Sequence, residues 1–395
     1  MQVKNVIIIN DYDYSQGGAS KVAIDNANML QKNGINCIFF SPVHKITDDI
    51  DKNIRIVSTH QNESLKSAPR IKGVVQELNN HKVNKELLDL LGKFSNKDTI
   101  VHIHGWTKAA SSSVFRVCRK KDFKVVLTLH EYFTICPNGS LYNYKKCCYC
   151  NKKPFSLKCK IENCDSRSMA FKIFRDIRMG VYNKDIDKSK ICAIFISDFQ
   201  RRIFKKCSKV SFKKEVVIPN FVPYYKSSKT VKIYDFVYVG RTSYEKGISL
   251  YLNLAKKMPD SKFLLVGKMD DCECKNLTVT GWVSEQEVTQ YIQQSKCMVL
   301  PSLWPETFGL NAVTALKNGM PCLASYNTAL EDYIVDGKNG FLFKQGDFND
   351  LYDKAQMIKD GALTNPDRGK EFYTETEYIN QIISLYNEEL LSCNG

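Results

Sequence analysis

Short, almost wholly apolar runs recur along this chain, each halted by a polar or turn-forming residue, with stretches of helical periodicity between them. VKNVIIIN (3–10), CIFFSP (37–42), TIVHIHG (99–105) and KVVLTLH (124–130) are rich in β-branched residues. Such runs suit parallel strands covered on both faces. Between them, 19-ASKVAIDNANMLQKNG-34 repeats apolar residues at three- and four-residue steps and stops at Gly34, which predicts a helix. The pattern then restarts. YDFVYVG (234–240), SKFLLVG (261–267), CMVLPS (297–302) and PCLAS (321–325) alternate with helices expected near 247–257, 284–295 and 308–318. Two such series predict an α/β chain of two doubly wound, Rossmann-like domains, with the polar 223-PYYKSSKTVK-232 as linker.

Membrane spans and export are not expected. No apolar run approaches the roughly 20 residues that cross a bilayer, and 1-MQVKNVIIIN-10 reads as a strand, not a signal peptide. The expectation is a cytoplasmic protein. Fifteen cysteines would suggest disulfides in a small secreted chain, but the length of this one and the expected compartment argue against a disulfide scaffold. Cys37, Cys192, Cys297 and Cys322 sit in apolar runs and read as small buried hydrophobes. The net charge of +15 is concentrated, because residues 145–178 hold ten Lys/Arg against three Asp/Glu. Such a patch fits an anionic membrane surface or a polyanion, or an ordinary solvated basic face.

Ligands of open parallel sheets bind beyond the carboxyl ends of the strands, and three loops there carry candidate residues. In 11-DYDYSQGGAS-20, Gly17 and Gly18 precede a helix and would let backbone N–H groups approach an anion. Asp11 and Asp13 have the spacing of a metal clip, but without a third oxygen ligand a solvated polar turn is favoured. In 240-GRTSYEKG-247, Arg241 and Lys246 are placed to converge on one phosphate, as a fork and a point charge. In 303-LWPETFGLNAVTALKNGMP-321, the amides of Phe308, Gly309 and Leu310 would open a helix, with Glu306 before them as an acceptor for sugar hydroxyls or as a cap.

The glycine pair after the first strand, GRTSYEKG and PETFGL before a helix together resemble glycosyltransferase family 4, as do 130-HEYFTICPNG-139, 194-IFISDFQRRIF-204, 218-IPNFV-222 and 336-DGKNGFLF-343. The resemblance spans nearly the whole chain. It implies a GT-B fold whose two domains face each other across a cleft: 1–225 on the acceptor side, 226–370 on the donor side, and a helix in 371–395 crossing back to the first. It also implies metal-independent, retaining transfer of a hexose from a nucleotide-diphosphate sugar to a glycan acceptor. A lipid-linked acceptor in capsule or lipopolysaccharide synthesis is the expected setting. Carried over, Arg241 and Lys246 would neutralise the departing diphosphate, while Glu306 and the Phe308–Leu310 backbone would hold the hexose. His130 would lie at the reacting centre, Gly17 and Gly18 would close over phosphate or acceptor, and His104 would line the acceptor side. The family's second Glu, which accepts the ribose hydroxyls, is replaced by Thr314, and 325-SYNTALED-332 lacks the glycines usual before the Glu matching Glu331. A hydroxyl cannot accept two bonds as a carboxylate does. This leaves open a catalytically weakened, sugar- or nucleotide-binding protein.

Residues 136–164 hold six cysteines. Dense cysteine in an intracellular loop suggests structural zinc. The expected ligands are Cys136, Cys150, Cys159 and Cys164, with Cys147 as substitute for Cys150, and unbound thiols in a lid-like loop are the alternative. Next, 170-AFKIFRDIRMGVY-182 puts Ala170, Ile173, Phe174, Ile177 and Val181 on one helical face, apart from Lys172, Arg175 and Arg178. That stripe is expected to face a core, with membrane docking as the sharper alternative. A polyanion-binding module is disfavoured and no nucleic-acid partner is expected, since no zinc-finger or aromatic RNA-binding motif occurs and the charge is confined to one insertion.

Overall fold

A computed structural model describes residues 2–63, 70–225, 230–269, 274–363 and 372–392. Residues 226–229 of the expected linker lie outside this set, as do 371 and 393–395 of the C-terminal segment. The first strand series comprises β1 (Asn5–Ile9), β2 (Asn36–Ser41), β3 (Arg55–Ser58), β4 (Thr99–Ile103) and β5 (Lys124–Leu129). A small antiparallel pair, β6 (Tyr142–Asn143) and β7 (Cys148–Tyr149), comes next, then β8 (Cys192–Phe195) and β9 (Lys214–Val217). Apart from β6 and β7 these form one parallel sheet in the order β3-β2-β1-β4-β5-β8-β9. The second series forms another parallel sheet from β10 (Tyr234–Val239), β11 (Phe263–Val266), β12 (Leu277–Val279), β13 (Ser295–Leu300), β14 (Cys322–Ser325) and β15 (Gly340–Phe343), in the order β12-β11-β10-β13-β14-β15.

The apolar runs become strands because both faces of each sheet are covered. Along β1, Ile7 and Ile9 enter one core while Val6 and Ile8 enter the other, the two-residue alternation of a pleated strand. In the first lobe the covering helices are α1 (Gly18–Lys32), α2 (Arg70–Leu78), α3 (His81–Leu91), α4 (Ser113–Lys120), α5 (Leu157–Ile161), α6 (Met169–Lys188) and α7 (Asp198–Cys207). In the second they are α8 (Ile248–Lys257), α9 (Glu285–Gln293), α10 (Leu310–Lys317) and α11 (Phe348–Lys359). The last helix, α12 (Glu375–Leu391), starts at a capping box of Thr374 and Glu377. It then packs on the first sheet, where Tyr378, Ile379, Ile382, Leu385, Tyr386 and Leu390 complete one of that sheet's two cores.

Helix α6 corrects an expectation. Its apolar stripe faces outward: Ile173 is 50% and Ile177 57% exposed, while Lys172 and Arg178 are buried. Lys172 pairs with Asp176 at 2.5 Å, Arg175 with Asp165 at 3.1 Å, and Arg178 with Glu77 of α2. Buried charges persist only when paired and hydrogen-bonded, and the carboxylates that draw these cations inward come from α2, from the segment before α6 and from α6 itself. Among the described residues no helix is long and apolar enough to cross a membrane.

Buried polar contacts join α12 to the sheet beneath it. Tyr386 Oη lies 2.6 Å from His102 Nδ1, and His102 Nε2 lies 2.7 Å from Thr128 Oγ1. Burial holds His102 down at about 3. An unfolded histidine takes up its proton near pH 6.5, so between those values protonation favours the unfolded chain. The stability present above pH 6.5 is therefore lost as the pH falls through this window, by about 1.4 kcal/mol per pH unit for this ring. Denaturant unfolding at pH 7.5 and 5.5 should show that loss, and His102→Gln should reduce it by the share of this one ring.

Candidate active site

In each sheet the strand order reverses at one point, between β1 and β4 in the first and between β10 and β13 in the second. Loops leaving those strands part there and open a crevice. In the second lobe the chain turns through Gly240 into a 3₁₀ turn, Tyr244–Lys246, and reaches Gly247 in a left-handed conformation at φ 72°. A Cβ on Gly247 would lie 1.7 Å from the Pro301 carbonyl oxygen. Only glycine allows the loop after β10 to lie backbone-to-backbone on the loop after β13. The Leu303 N–H then donates to the Glu245 carbonyl at 2.9 Å.

That contact brings Lys246 and Glu306 together. Lys246 Nζ lies 2.7 Å from Glu306 Oε1, which also accepts from Ser302 Oγ at 2.7 Å. Glu306 is 4% exposed, and Lys246 Nζ sits 4.7 Å above the Trp304 ring. Arg241 is on the same loop but outside this pair, its side chain 66% exposed and 4.0 Å from Glu245.

The helix mouth differs in detail from the expected one. Gly309 caps α10 at φ 78°, and a Cβ there would meet Leu330 Cδ2 at 2.5 Å, so packing as well as conformation requires glycine. The first amide bonded inside the helix is that of Val313, to the Gly309 carbonyl. The amides at the helix opening are thus those of Leu310, Asn311 and Ala312, two residues beyond the expected set. Phe308 is buried against Tyr333. Thr314 turns its hydroxyl onto its own helix, donating to the Leu310 carbonyl at 2.8 Å.

Across the cleft, a cavity at the ends of β1, β4 and β5 is lined by Asn10, Ala19, Ser20, His104, Trp106 and His130, among others. His104 Nδ1 and His130 Nε2 are 3.0 Å apart. Burial drives His104 well below the usual histidine range and His130 down to about 4, so both rings are neutral. Gly17 and Gly18 lie exposed at the start of α1, next to Ala19 and Ser20, and a Cβ on either would meet nothing within 4 Å. Gly17, at φ 162°, is simply extended.

The Asp-x-Asp pair is neither a metal clip nor a solvated turn. Asp11 and Asp13 are buried. Asp11 accepts the N–H groups of Lys108, Ala109 and Ala110 at 2.8–3.0 Å, while Asp13 accepts that of Lys45 and pairs with His44. The expected zinc ligands are not gathered either, for among the described residues no three His, Cys, Asp or Glu side chains form a metal-holding group. Cys136, Cys159 and Cys164 are buried and Cys150 half-buried; burial pushes the Cys136 thiol up to about 12 and Cys164 to about 11. Cys136 Sγ and Cys164 Sγ instead flank the Asn138 amide, at 3.0 and 3.9 Å.

Three residues that sequence reading passed over tie the lobes together. Thr307 Oγ1 donates to the His130 carbonyl at 2.9 Å, and the Thr307 carbonyl accepts from Ser197 Oγ at 2.7 Å. Trp304 leaves its own lobe and enters the core of the first, edge-on to Tyr132 at 6.4 Å. Ser197 had a local signal, a serine one residue before a helix, whose hydroxyl also caps α7 by accepting the Gln200 N–H. Thr307 and Trp304 had none.

Comparison with known proteins follows this division into lobes. Residues 226–368 match the family model described as Glycosyl transferases group 1. Over 316 residues the chain is 26% identical to an uncharacterized 41.2 kDa protein in the cps region of Klebsiella pneumoniae, covering 74% of this chain and 79% of that one. Among solved structures, sucrose-phosphate synthase from Thermosynechococcus elongatus matches with a TM-score of 0.68 at 18% identity over 98% of both chains. The pneumococcal O-GlcNAc transferase GtfA, in complex with UDP and GlcNAc, matches at 0.65 and 12% identity over 99% of both. The fold is GT-B.

Two stability tests follow from this geometry. Gly247→Ala should cost at least about 2 kcal/mol in denaturant unfolding, since it adds strain at positive φ to a clash with backbone. Lys246→Met should cost about 2–3 kcal/mol, because it strands a buried carboxylate that retains one serine donor. The double variant Lys246→Met/Glu306→Gln should recover most of that loss.

Proposed function

We propose that this chain, whose residues 226–368 match the Glycosyl transferases group 1 model, is a glycosyltransferase that moves a hexose from a nucleotide-diphosphate sugar to a glycan acceptor with retention at the anomeric carbon. The observation that carries this reading is the Lys246–Glu306 pair at the β10/β13 switch point, facing His130 across the cleft through Thr307. Donor phosphates would draw Lys246 Nζ away from Glu306 and bring the exposed Arg241 inward. The freed Glu306 carboxylate would then accept hydrogen bonds from hydroxyls of the sugar. As the anomeric C–O bond breaks, its electron pair passes to the β-phosphate oxygen, where the two cations and the amides opening α10 offset the growing charge. The acceptor hydroxyl oxygen bonds to the anomeric carbon on the same face and gives its proton to the departing phosphate. No metal is assigned a role in this reading. Gly17 and Gly18 leave uncovered backbone beside the cavity of His104 and His130, where the acceptor would enter.

Capsule synthesis on a lipid-linked acceptor at the inner membrane face is the proposed setting. The Klebsiella relative lies in a cps region, and α6 turns its apolar stripe to solvent. Leu157 and Ile161 of α5 are likewise 75% and 67% exposed, among exposed Lys145, Lys146, Lys153, Lys158, Lys160 and Arg167. Apolar side chains flanked by cations fit an anionic lipid surface. In flotation with phosphatidylglycerol vesicles at low salt, the wild type should float and Ile173→Asp/Ile177→Asp should stay behind. A wild type that remains at the bottom sinks the membrane part.

The self-bonded Thr314 hydroxyl favours one second reading, a protein that holds the donor with little turnover. A panel of labelled nucleotide-sugars separates the two. Turnover by the wild type that falls on the order of 100-fold in Lys246→Ala or Glu306→Ala supports transfer. Saturable binding without turnover supports the second reading.

A further inference from the structure

Helix α12 ends a chain of polar groups that begins at the cleft. Tyr378 Oη donates to Asn26 Oδ1 at 2.8 Å. The other end of that amide, Asn26 Nδ2, lies 3.3 Å from His104 Nε2, and His104 Nδ1 lies 3.0 Å from His130 Nε2. Tyr378, Asn26 and His104 are all buried, so none can exchange these partners for bulk water.

The donors and acceptors run in one direction. An amide nitrogen only donates, so His104 Nε2 must accept. A neutral imidazole that accepts at one nitrogen carries its proton on the other. His104 therefore donates from Nδ1 to His130 Nε2, and the single proton of His130 is left on Nδ1. Among the described residues no protein group partners that nitrogen, and the ring lines the cavity. If the Asn26 amide were turned over, every bond would reverse and His130 would present a lone pair at Nδ1. Tyr386 supports the same arrangement from the next turns of α12. It holds His102, whose ring lies against that of His104 at 4.1 Å between centroids.

We propose that Tyr378 and Asn26 are positioning residues that fix the tautomer of His130, making it a hydrogen-bond donor to an oxygen of the sugar in the cleft and denying it the role of a base at Nδ1. The functional half of this rests on the proposal that His130 faces the transferred sugar. The tautomer itself does not.

The ring nitrogens can be read by ¹⁵N NMR of the histidine-labelled full chain, with the His130 signals identified by their loss in His130→Asn. The wild type should show a protonated Nδ1 and a bare Nε2 at His130. A proton on Nε2 overturns the proposal. In Tyr378→Phe the amide loses the buried partner that holds it in place, so His130 should show averaged shifts and kcat for transfer should fall about three- to tenfold, with donor KM unchanged. A single Nδ1–H tautomer in Tyr378→Phe removes Tyr378 from the relay, and averaged shifts with unchanged kcat remove its role in transfer. The wild-type spectrum needs no donor sugar. A protein that shows the Nδ1–H tautomer yet turns over no nucleotide-sugar supports the relay while refuting the transferase reading.

Discussion

The cleft of the second lobe is built on one missing atom. At Gly247 a peptide carbonyl occupies the space of a side chain, and two loops that diverge at a strand reversal are held in contact. Lys246 and Glu306 stand on either side of that contact, one residue before it and five beyond Pro301. A carboxylate as buried as Glu306 requires a cation or a proton, and the backbone contact supplies the cation without help from the first lobe. In this state the acid and the base satisfy each other, so the donor proposed above would have to compete with an existing ion pair. A nucleotide-diphosphate sugar would meet that condition, because it would offer Lys246 more than one negative oxygen and Glu306 several hydroxyls.

The first lobe is arranged by a different rule. Its two cleft histidines are neutral, held by burial and by hydrogen bonds of defined direction, not by opposite charge. His104 and His130 share one bond, and the Asp11 carboxylate braces the loop after β4 by taking three successive amides. An ion pair stands on the wall of the second lobe and oriented imidazole dipoles on that of the first. A reaction that expels an anion toward one wall while a neutral hydroxyl approaches from the other suits that division.

How much of this was legible depended on the range of the interaction. The strands were readable because burial on both faces leaves apolar runs such as VIII at 6–9. Their ends pointed to Lys246, Glu306 and His130 because parallel sheets place ligands there. Short edge elements such as β3 and β12 were not picked out, since three or four residues carry too little pattern. The face of α6 was misread because a helical stripe records which residues share a side, not which side is inward. Here Glu77, 101 positions away from Arg178, decided the matter. Asn26 and Tyr378 are 352 positions apart, and no local periodicity reports such a pair. Thr314 departs from the family pattern in sequence, but that its hydroxyl is spent on the Leu310 carbonyl of its own helix is decided only by the folded chain.

Trp304 has a thermodynamic consequence of its own. Its indole belongs by sequence to one lobe and by packing to the core of the other. The lobes therefore cannot part without wetting a large aromatic surface, and apolar hydration carries a positive heat capacity. Cleft opening in this protein should thus have a curved temperature dependence, easiest where hydrophobic association is weakest, as an unfolding reaction does on a smaller scale.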